Sequence, residues 1–316
     1  MRSVLAGDLG GTKCRFALVS EDFTVHRVRQ VPTVRERGPF LEAFDHALST
    51  IVDDLPPGLE APTAVGIGTA GVIPRDGSSI VRAPNLPLDG FPLAQHVRQR
   101  FGIPATLIND GRASAFGEFL RGHAVGRDPL LCLFFGTGIG IGLIVDGQPY
   151  GGATNAAGEI GHTTFRPGGR RCACGAPGHF EAYCGGRAIT ERAAAEVVAA
   201  SGSVSPGTWT VGGVVAAAAG KGAAAEAARA ILDDAESAAC TMVANACTLL
   251  NPSAVVLGGG VLTGWPQLGQ RIEAHVKLAT GRSIHEGLLF VPTLGGSDAI
   301  LWGAAAATGV LWPVRA

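Results

Sequence analysis

The chain has 316 residues, a length that suits about two domains. Its 25 Lys+Arg against 26 Asp+Glu leave a net charge of −1. That balance gives no basic footprint for nucleic acid and no charged tail. Hydrophobic residues make up 47% and mean hydropathy is +0.28, so there is material for a large core. Glycine and proline, 47 and 19 residues, stay below the roughly 25–30% that signals disorder, and the glycines cluster at strand ends. The N-terminal apolar run is too short for a signal peptide and is broken by Asp8. The longest apolar stretch, Leu130 to Val145, is interrupted by glycines and falls short of a membrane span. Seven cysteines in a chain expected to be cytoplasmic favour free thiols or a metal over structural disulfides.

Taken in order, Val4 to Val19 reads as a β-hairpin around the turn Asp8-Leu9-Gly10-Gly11-Thr12-Lys13. A carboxylate ends the first strand, two glycines bare backbone N–H groups, and a hydroxyl and a lysine follow. Bare N–H groups with a lysine suit a phosphate, and the aspartate suits the magnesium that travels with polyphosphates. An ordinary hairpin with a capping aspartate fits these six residues equally well. Val25 to Pro32 alternates as a third strand. Pro39 to Leu55 carries apolar residues at helical spacing, with Pro39 suited to the first turn. A strand over Ala64 to Gly71, a loop holding Asn85, and a helix over Leu93 to Phe101 follow. The strand Ala105 to Ile108 delivers Asn109-Asp110 to a helix over Arg112 to Leu120. Asn and Asp are preferred helix N-caps; beside a nucleotide site, Asp110 is instead a candidate general base.

The plan then repeats. Leu130 to Phe135 is a continuous apolar strand, consistent with burial on both faces. Gly136-Thr137-Gly138-Ile139-Gly140 turns the chain, and Ile141 to Val145 runs back to an Asp146-Gly147 hairpin. Strand, glycine turn and strand thus occur twice, which suggests two related domains facing each other. The last third is rich in alanine, with a long helix over Ala223 to Leu250, a buried strand over Ala254 to Leu257 capped by Gly258-Gly259-Gly260, a strand over Leu288 to Pro292, and a final helix over Ala299 to Val310. Three glycine clusters after strands point to a polyphosphate held between domains. No G-x-G-x-x-G begins at Gly136 or Gly138, where Ile141 and Leu143 occupy the last positions, and no G-x-x-x-x-G-K-[ST] occurs, since Gly220-Lys221 is followed by Gly222. Both points disfavour the dinucleotide and P-loop folds.

His162, Cys172, Cys174 and His179 lie close together in a glycine-rich segment. Such a Cys₂His₂ set suits tetrahedral zinc of the structural kind, since four protein ligands leave no open position. A redox Cys-x-Cys and unliganded thiols are the competing readings. A zinc ion here would brace the loop bearing Glu159, His162 and Glu181.

Together these stretches resemble the ROK family (repressors, open reading frames and sugar kinases) over essentially the whole chain. The resemblance rests on Asp8 to Lys13, Asn109-Asp110, Gly136 to Gly140, Glu159-Ile160-Gly161-His162, Cys172-Ala173-Cys174 through Glu181, and Leu257 to Gly260. It implies an α/β, two-domain fold of the actin/hexokinase/Hsp70 (ribonuclease H-like) type with a zinc knuckle. One domain would comprise residues 1–108 plus 299–316 and the other 109–298, with the active site in the cleft between them. By the same resemblance, Asp8, Gly10, Gly11, Thr12, Lys13, Gly136, Thr137, Gly138 and Gly140 would hold the phosphates of ATP with Mg²⁺. Gly258 and Gly259 would lie by the adenosine. Asn85, Asn109, Asp110, Glu159, His162 and Glu181 would bind sugar hydroxyls, with Asp110 as general base.

Where the family usually has a third cysteine this chain has His179, which lowers the negative charge of the zinc site by one; Cys184 is the fallback ligand. The implied activity is ATP-dependent phosphorylation of a hexose 6-hydroxyl, glucose first. N-acetylglucosamine and N-acetylmannosamine are the alternative acceptors, and a non-catalytic zinc-containing sugar sensor is the alternative of another class. Repressor members carry an N-terminal helix-turn-helix domain; a first strand at residue 4 favours the kinase. A homo-oligomer, dimer or tetramer, with neither nucleic acid nor membrane as partner, completes the expectation.

Overall fold

The computed structural model describes residues 1–83, 85–201 and 209–312; the end of the expected first domain, 313–316, lies outside them. The strands are β1 (Ser3–Leu9), β2 (Lys13–Ser20), β3 (Val25–Pro32), β4 (Val65–Thr69), β5 (Ala105–Asn109), β6 (Leu130–Phe135), β7 (Ile139–Val145), β8 (Gln148–Pro149), β9 (Ala254–Gly258) and β10 (Leu289–Pro292). They form two five-stranded sheets, ordered β3-β2-β1-β4-β5 and β10-β9-β6-β7-β8. The chain divides into two compact units. One holds 1–131, 142–158 and 293–316, and the other 132–141 and 159–292. The divisions at 131/132 and 141/142 fall within β6 and β7.

In the first unit, β1 and β2 pair antiparallel from Ser3↔Ser20 to Leu9↔Cys14, the expected hairpin. β4 then joins β1 in parallel and β5 joins β4 in parallel. Parallel pairing needs crossovers, and helices Arg37–Asp53 and Leu93–Phe101 fall within the two connections. Their apolar faces bury Phe40, Phe44, Leu48, Ile51, Leu93 and Val97 against Phe16, Leu18, Ile67 and Leu107 of the sheet. Phe16 and Phe44 meet edge to face at 5.3 Å. The helix begins at Arg37, two residues before Pro39, which sits in its first turn where its missing N–H costs nothing.

The other face of that sheet is covered by the C-terminal helix Asp298–Ala307, whose Leu301 and Ala305 pack on Val4, Ala6, Ala17, Val19 and Ala64. This helix also lies against helix Asp110–Arg121 at very short range. A Cβ on Gly303 would strike the Ala113 carbonyl, and one on Gly117 the Ala299 carbonyl. Glycine at both crossing points permits that approach. Beside it, the fully buried Glu118 carboxylate accepts the N–H groups of Leu294 (3.1 Å) and Gly295 (2.8 Å), so the buried acid and the turn satisfy each other. The helix stops at Ala307, earlier than Val310, because Gly309 takes φ +75°.

In the second unit the 28-residue helix Ala223–Leu250 runs the expected length and ends on Asn251 at φ +44° before Pro252. Its alanine stripe, with Ile231, Met242 and Val243, is buried. Asp146 and Gly147 both take positive φ, 54° and 70°, as a tight hairpin turn requires. Among the described residues no helix is long and apolar enough to cross a membrane.

Candidate functional site

The first unit brings Asp8, Asn109 and Asp110 to one edge. β1, β4 and β5 are parallel, so their carboxyl ends lie side by side: Asp8 is opposite Gly68, and Thr69 opposite Asn109. Ligands of open α/β sheets bind outside such ends. Asn109 caps the following helix, its Oδ1 accepting from the Arg112 N–H at 3.3 Å. The capping reading therefore holds for Asn109, whose side chain also hydrogen-bonds the Asp110 carboxylate. Asp110 is the first helical residue, and its carboxylate accepts the Gly111 N–H at 2.9 Å.

The two aspartates feel each other. Burial first, and then the charge of Asp110, push the Asp8 carboxyl up to about 7, against the opposing pull of Arg15 and Lys13. Burial also raises Asp110 above the ordinary carboxylate range, opposed by its backbone hydrogen bond and by Arg112. Two acids sharing one partly desolvated edge are the setting in which a cation is bound or a proton is taken.

The turn after Asp8 is closed by Gly10 N–H to Lys13 O (3.1 Å) and by Thr33, which donates its hydroxyl to Gly10 O (2.6 Å) and its N–H to Thr12 O (2.9 Å). Among the described residues the N–H groups of Gly11 and Thr12 donate to nothing. Asn85 abuts this turn, since a Cβ on Gly11 would lie 2.7 Å from the Asn85 Cβ. Arg35 holds the Asn85 carbonyl at 2.8 Å. Lys13 is exposed at the turn's end. Arg15, two residues on, is spoken for by Asp298 at 2.7 Å.

The second unit gathers the remaining predicted residues around a second turn. Gly136 N–H donates to Gly138 O at 2.9 Å, and the turn is braced from outside by Gly186 N–H to Gly136 O (2.9 Å) and Arg187 N–H to Thr137 O (3.0 Å). Glu181 reaches the same turn, its Oε2 accepting the Ile139 N–H at 2.9 Å. Gly140 follows in β7 beside Phe134. Gly258 ends β9, and Gly259, at φ +98°, lies so close to the Phe135 backbone that the Gly136 turn and the third glycine cluster are neighbours. A cleft of about 590 Å³ lies here, lined by Gly136, Thr137, Arg187, Val211, Gly260 and Val261 among others.

His162, Cys172, Cys174 and His179 converge, their ligand atoms all within 4.8 Å of one another. Cys172 Sγ is 3.6 Å from His162 Nδ1, and Cys174 Sγ is 3.3 Å from His179 Nδ1. Zn–S and Zn–N bonds of about 2.3 and 2.0 Å at tetrahedral angles put neighbouring ligand atoms roughly 3.3–3.8 Å apart, so the set fits zinc. Cys184 stands outside it, fully buried with its thiol on the Phe180 carbonyl at 3.3 Å. His179 is thus the fourth member.

With Nδ1 turned to the cluster, His162 presents Nε2 to Glu159 Oε2 at 3.8 Å. The free oxygen of Glu181 is 3.7 Å from Cys172 Sγ. The knuckle therefore sets three polar groups, Glu159, His162 Nε2 and Glu181, around itself. A metal on Nδ1 would fix the tautomer that leaves Nε2 protonated and able to donate.

Sequence reasoning missed Arg187, Thr190 and Glu191, which line the cleft beside the second turn. The adjacent pair Gly185-Gly186 was the available signal, because glycines opening a helix mark a close backbone approach. It also missed the buried Arg112, whose guanidinium holds the Asn155 side chain and carbonyl and so secures the loop leading to Glu159.

The sequence profile of the ROK family matches residues 4–308. A glucokinase of Streptomyces coelicolor is 33% identical over 264 residues, 80% of each chain. An N-acetylmannosamine kinase of Citrobacter koseri is 34% identical over 196 residues, 60% of this chain and 64% of that protein. Among solved structures, a ROK family glucokinase from Streptomyces griseus in complex with glucose and AMPPNP superposes with a TM-score of 0.73 at 28% identity, covering 96% of this chain and 98% of that one.

Proposed function

Because this chain belongs to the ROK family, we propose that it is a sugar kinase moving the γ-phosphoryl group of ATP to the 6-hydroxyl of a hexose, with glucose as the first candidate. Kinship to a glucokinase and to an N-acetylmannosamine kinase supports the class and leaves N-acetylmannosamine and N-acetylglucosamine as alternative acceptors. The observation that carries the reading is the pair Asp8 and Asp110 at the carboxyl edge of three parallel strands, beside a turn with two uncommitted N–H groups.

On this reading Asp110 is the general base. As the sugar O6–P bond forms, the O6 proton passes to the Asp110 carboxylate and the bond from the γ-phosphorus to the bridging oxygen breaks, with ADP leaving. A carboxylate whose pKa burial has raised is a better acceptor for that proton, and such help is worth about 10²–10⁴ in rate. Asp8 suits the Mg²⁺ that accompanies ATP, because a hard cation takes oxygen ligands and the raised carboxyl gains most from one. That ion would neutralise charge on the transferring group. Gly10 to Lys13 and Gly136 to Gly140 cradle phosphate oxygens with N–H groups and a lysine. Gly258 and Gly259 border the nucleoside.

Asn85, Asn109, Glu159, His162 and Glu181 supply donors and acceptors to sugar hydroxyls. His162, Cys172, Cys174 and His179 would hold structural Zn²⁺, which fixes the loop bearing those groups. A coupled ADP-release assay over glucose, mannose, N-acetylglucosamine and N-acetylmannosamine tests the proposal. Turnover with one of them, abolished in Asp110→Ala, is expected. Tight sugar binding without turnover would instead make the protein a sensor.

A further inference from the structure

Beside the second turn lies a set of groups that the reading above leaves unassigned. Arg187 lines the cleft of about 590 Å³ and also a neighbouring one of about 430 Å³, bordered by Thr137, Cys172 and Glu181. Its backbone is rigidly placed. Arg187 N–H is bonded to Thr137 O at 3.0 Å, and Gly186 N–H to Gly136 O at 2.9 Å. A Cβ on Gly186 would come 2.6 Å from that Gly136 oxygen, so only glycine lets the helix Gly186–Arg192 seat directly on the turn.

Two of the other charges in these clefts have partners, while Glu191, which lines both, has no side-chain hydrogen bond or ion pair among the described residues. The Glu181 carboxylate holds the Ile139 N–H, and Arg171 donates to the Gly175 carbonyl at 3.2 Å. Among the described residues the Arg187 guanidinium makes neither a hydrogen bond nor an ion pair, and Glu191, one helical turn on, makes no ion pair with it. The N–H groups of Thr137 and Gly138 likewise donate to nothing. A guanidinium with no bonded partner and two unused N–H groups at one cleft are donors without a bound acceptor. Donors without an acceptor of their own suit an anion with several oxygens.

Resting on the kinase reading, we propose that Arg187 is a binding residue for the phosphate chain of the donor nucleotide. The nucleoside lies against Val211, Gly260 and Val261, and the phosphates run past Thr137 into the reach of the guanidinium. Thr137 and Arg187 line the same cleft as Val211, Gly260 and Val261, so one ligand there can meet both the apolar residues and the donors.

The test is calorimetric binding of ATP, ADP and adenosine to the full chain, comparing wild type with Arg187→Gln and Arg187→Lys, with thermal melting to confirm that each variant folds. A charge-assisted bond to phosphate predicts that Arg187→Gln weakens ATP about tenfold or more. Arg187→Lys should recover part of that loss, adenosine should be unchanged, and sugar affinity should be unaffected. ATP binding equally to wild type and Arg187→Gln would overturn the assignment while leaving the kinase reading intact. Equal loss for ATP and adenosine would also overturn it, because that marks a packing role. A wild-type chain that binds sugar but no nucleotide would sink the kinase reading and this assignment with it.

Discussion

The two glycine turns do the same geometric job by different means. The first, Gly10 to Lys13, carries its own chemistry: an acid two residues before it, a lysine at its end, and closure by its own backbone and Thr33. The second, Gly136 to Gly138, has no charged residue of its own. Its charge comes from Glu181 and Arg187, and its shape is held by Gly186 and Arg187. A self-contained turn can be read from six consecutive residues. A turn assembled from three segments cannot, because the partners of Gly136 lie some way along the chain and meet it only after folding.

The largest expected effect tests whether the chemistry belongs to the first half. Asp110→Asn, close in size, should lower kcat by about 10²–10⁴ while leaving KM for the sugar within a few-fold and the melting temperature near wild type. Steady-state kinetics would contradict the assignment by showing an unchanged kcat.

Next comes the brace of the second half. Elemental analysis should find about one zinc per chain, and removal by a strong chelator should lower the melting temperature by several degrees or more, since metal binding is folding free energy in such knuckles. Sugar affinity should fall with it, because Glu159, His162 and Glu181 lose their common support. A metal-free preparation with undiminished stability and sugar affinity would refute the zinc site.

A third expectation separates shape from charge at the second turn. Gly186→Ala pushes a methyl group towards the Gly136 oxygen, and overpacking of this kind costs about 1–3 kcal/mol. The matching change in the first turn, Gly11→Ala, meets the Asn85 Cβ at 2.7 Å, in an exposed loop that can shift as a whole, whereas the Gly136 oxygen is fixed by its hydrogen bond to Gly186 N–H. Chemical denaturation should therefore show the larger loss for Gly186→Ala; the reverse order would invert the comparison.

The last expectation is a pH dependence confined to the first half. Asp8 is raised from 3.8 to about 7. Between those values the unfolded chain is ionised there while the native state keeps its proton, so this residue's contribution to stability falls as pH rises from about 4 to about 7 and is flat above. Asp8→Asn removes that slope, and denaturation at pH 4.5 and 7.5 measures it. Magnesium–nucleotide binding near pH 6.5 should release protons from the wild type and fewer from the variant. Identical pH profiles would show that the Asp8 carboxyl is ordinary.

Much of the fold was legible because its elements follow short-range rules. The period-two runs of β1 and β2, the glycine turn between them, the helical spacing from Phe40 to Ile51 and the Asn251-Pro252 stop all act within a few residues. Helix ends were read less well. Arg37 and Ala307 are set by Pro39 tolerated inside a first turn and by Gly309 closing a last one. The convergence of His162, Cys172, Cys174 and His179 was legible in composition and spacing, and the exclusion of Cys184 rests on which way a four-residue helix points its thiol. That helix, Glu181–Cys184, turns Cys184 into the core. Arg187 and Glu191 were illegible, since a charge on a helix reads as a solvated face until the cleft beside it is seen.

The helix Asp298–Ala307 carries a lesson about the order of events. The sheet bearing Asp8 has one face sealed by the earliest helices, but the other is sealed by Leu301 and Ala305 from the far end of the chain. During synthesis Val4, Ala6, Ala17 and Val19 must therefore wait, with an apolar face uncovered, until residues 298–307 have been made. A chain cut short before residue 298 keeps Asp8, Asp110 and both turns yet leaves that face open to water and to other chains. The helix Asp298–Ala307 completes a sheet whose first described strand starts far upstream, at Ser3.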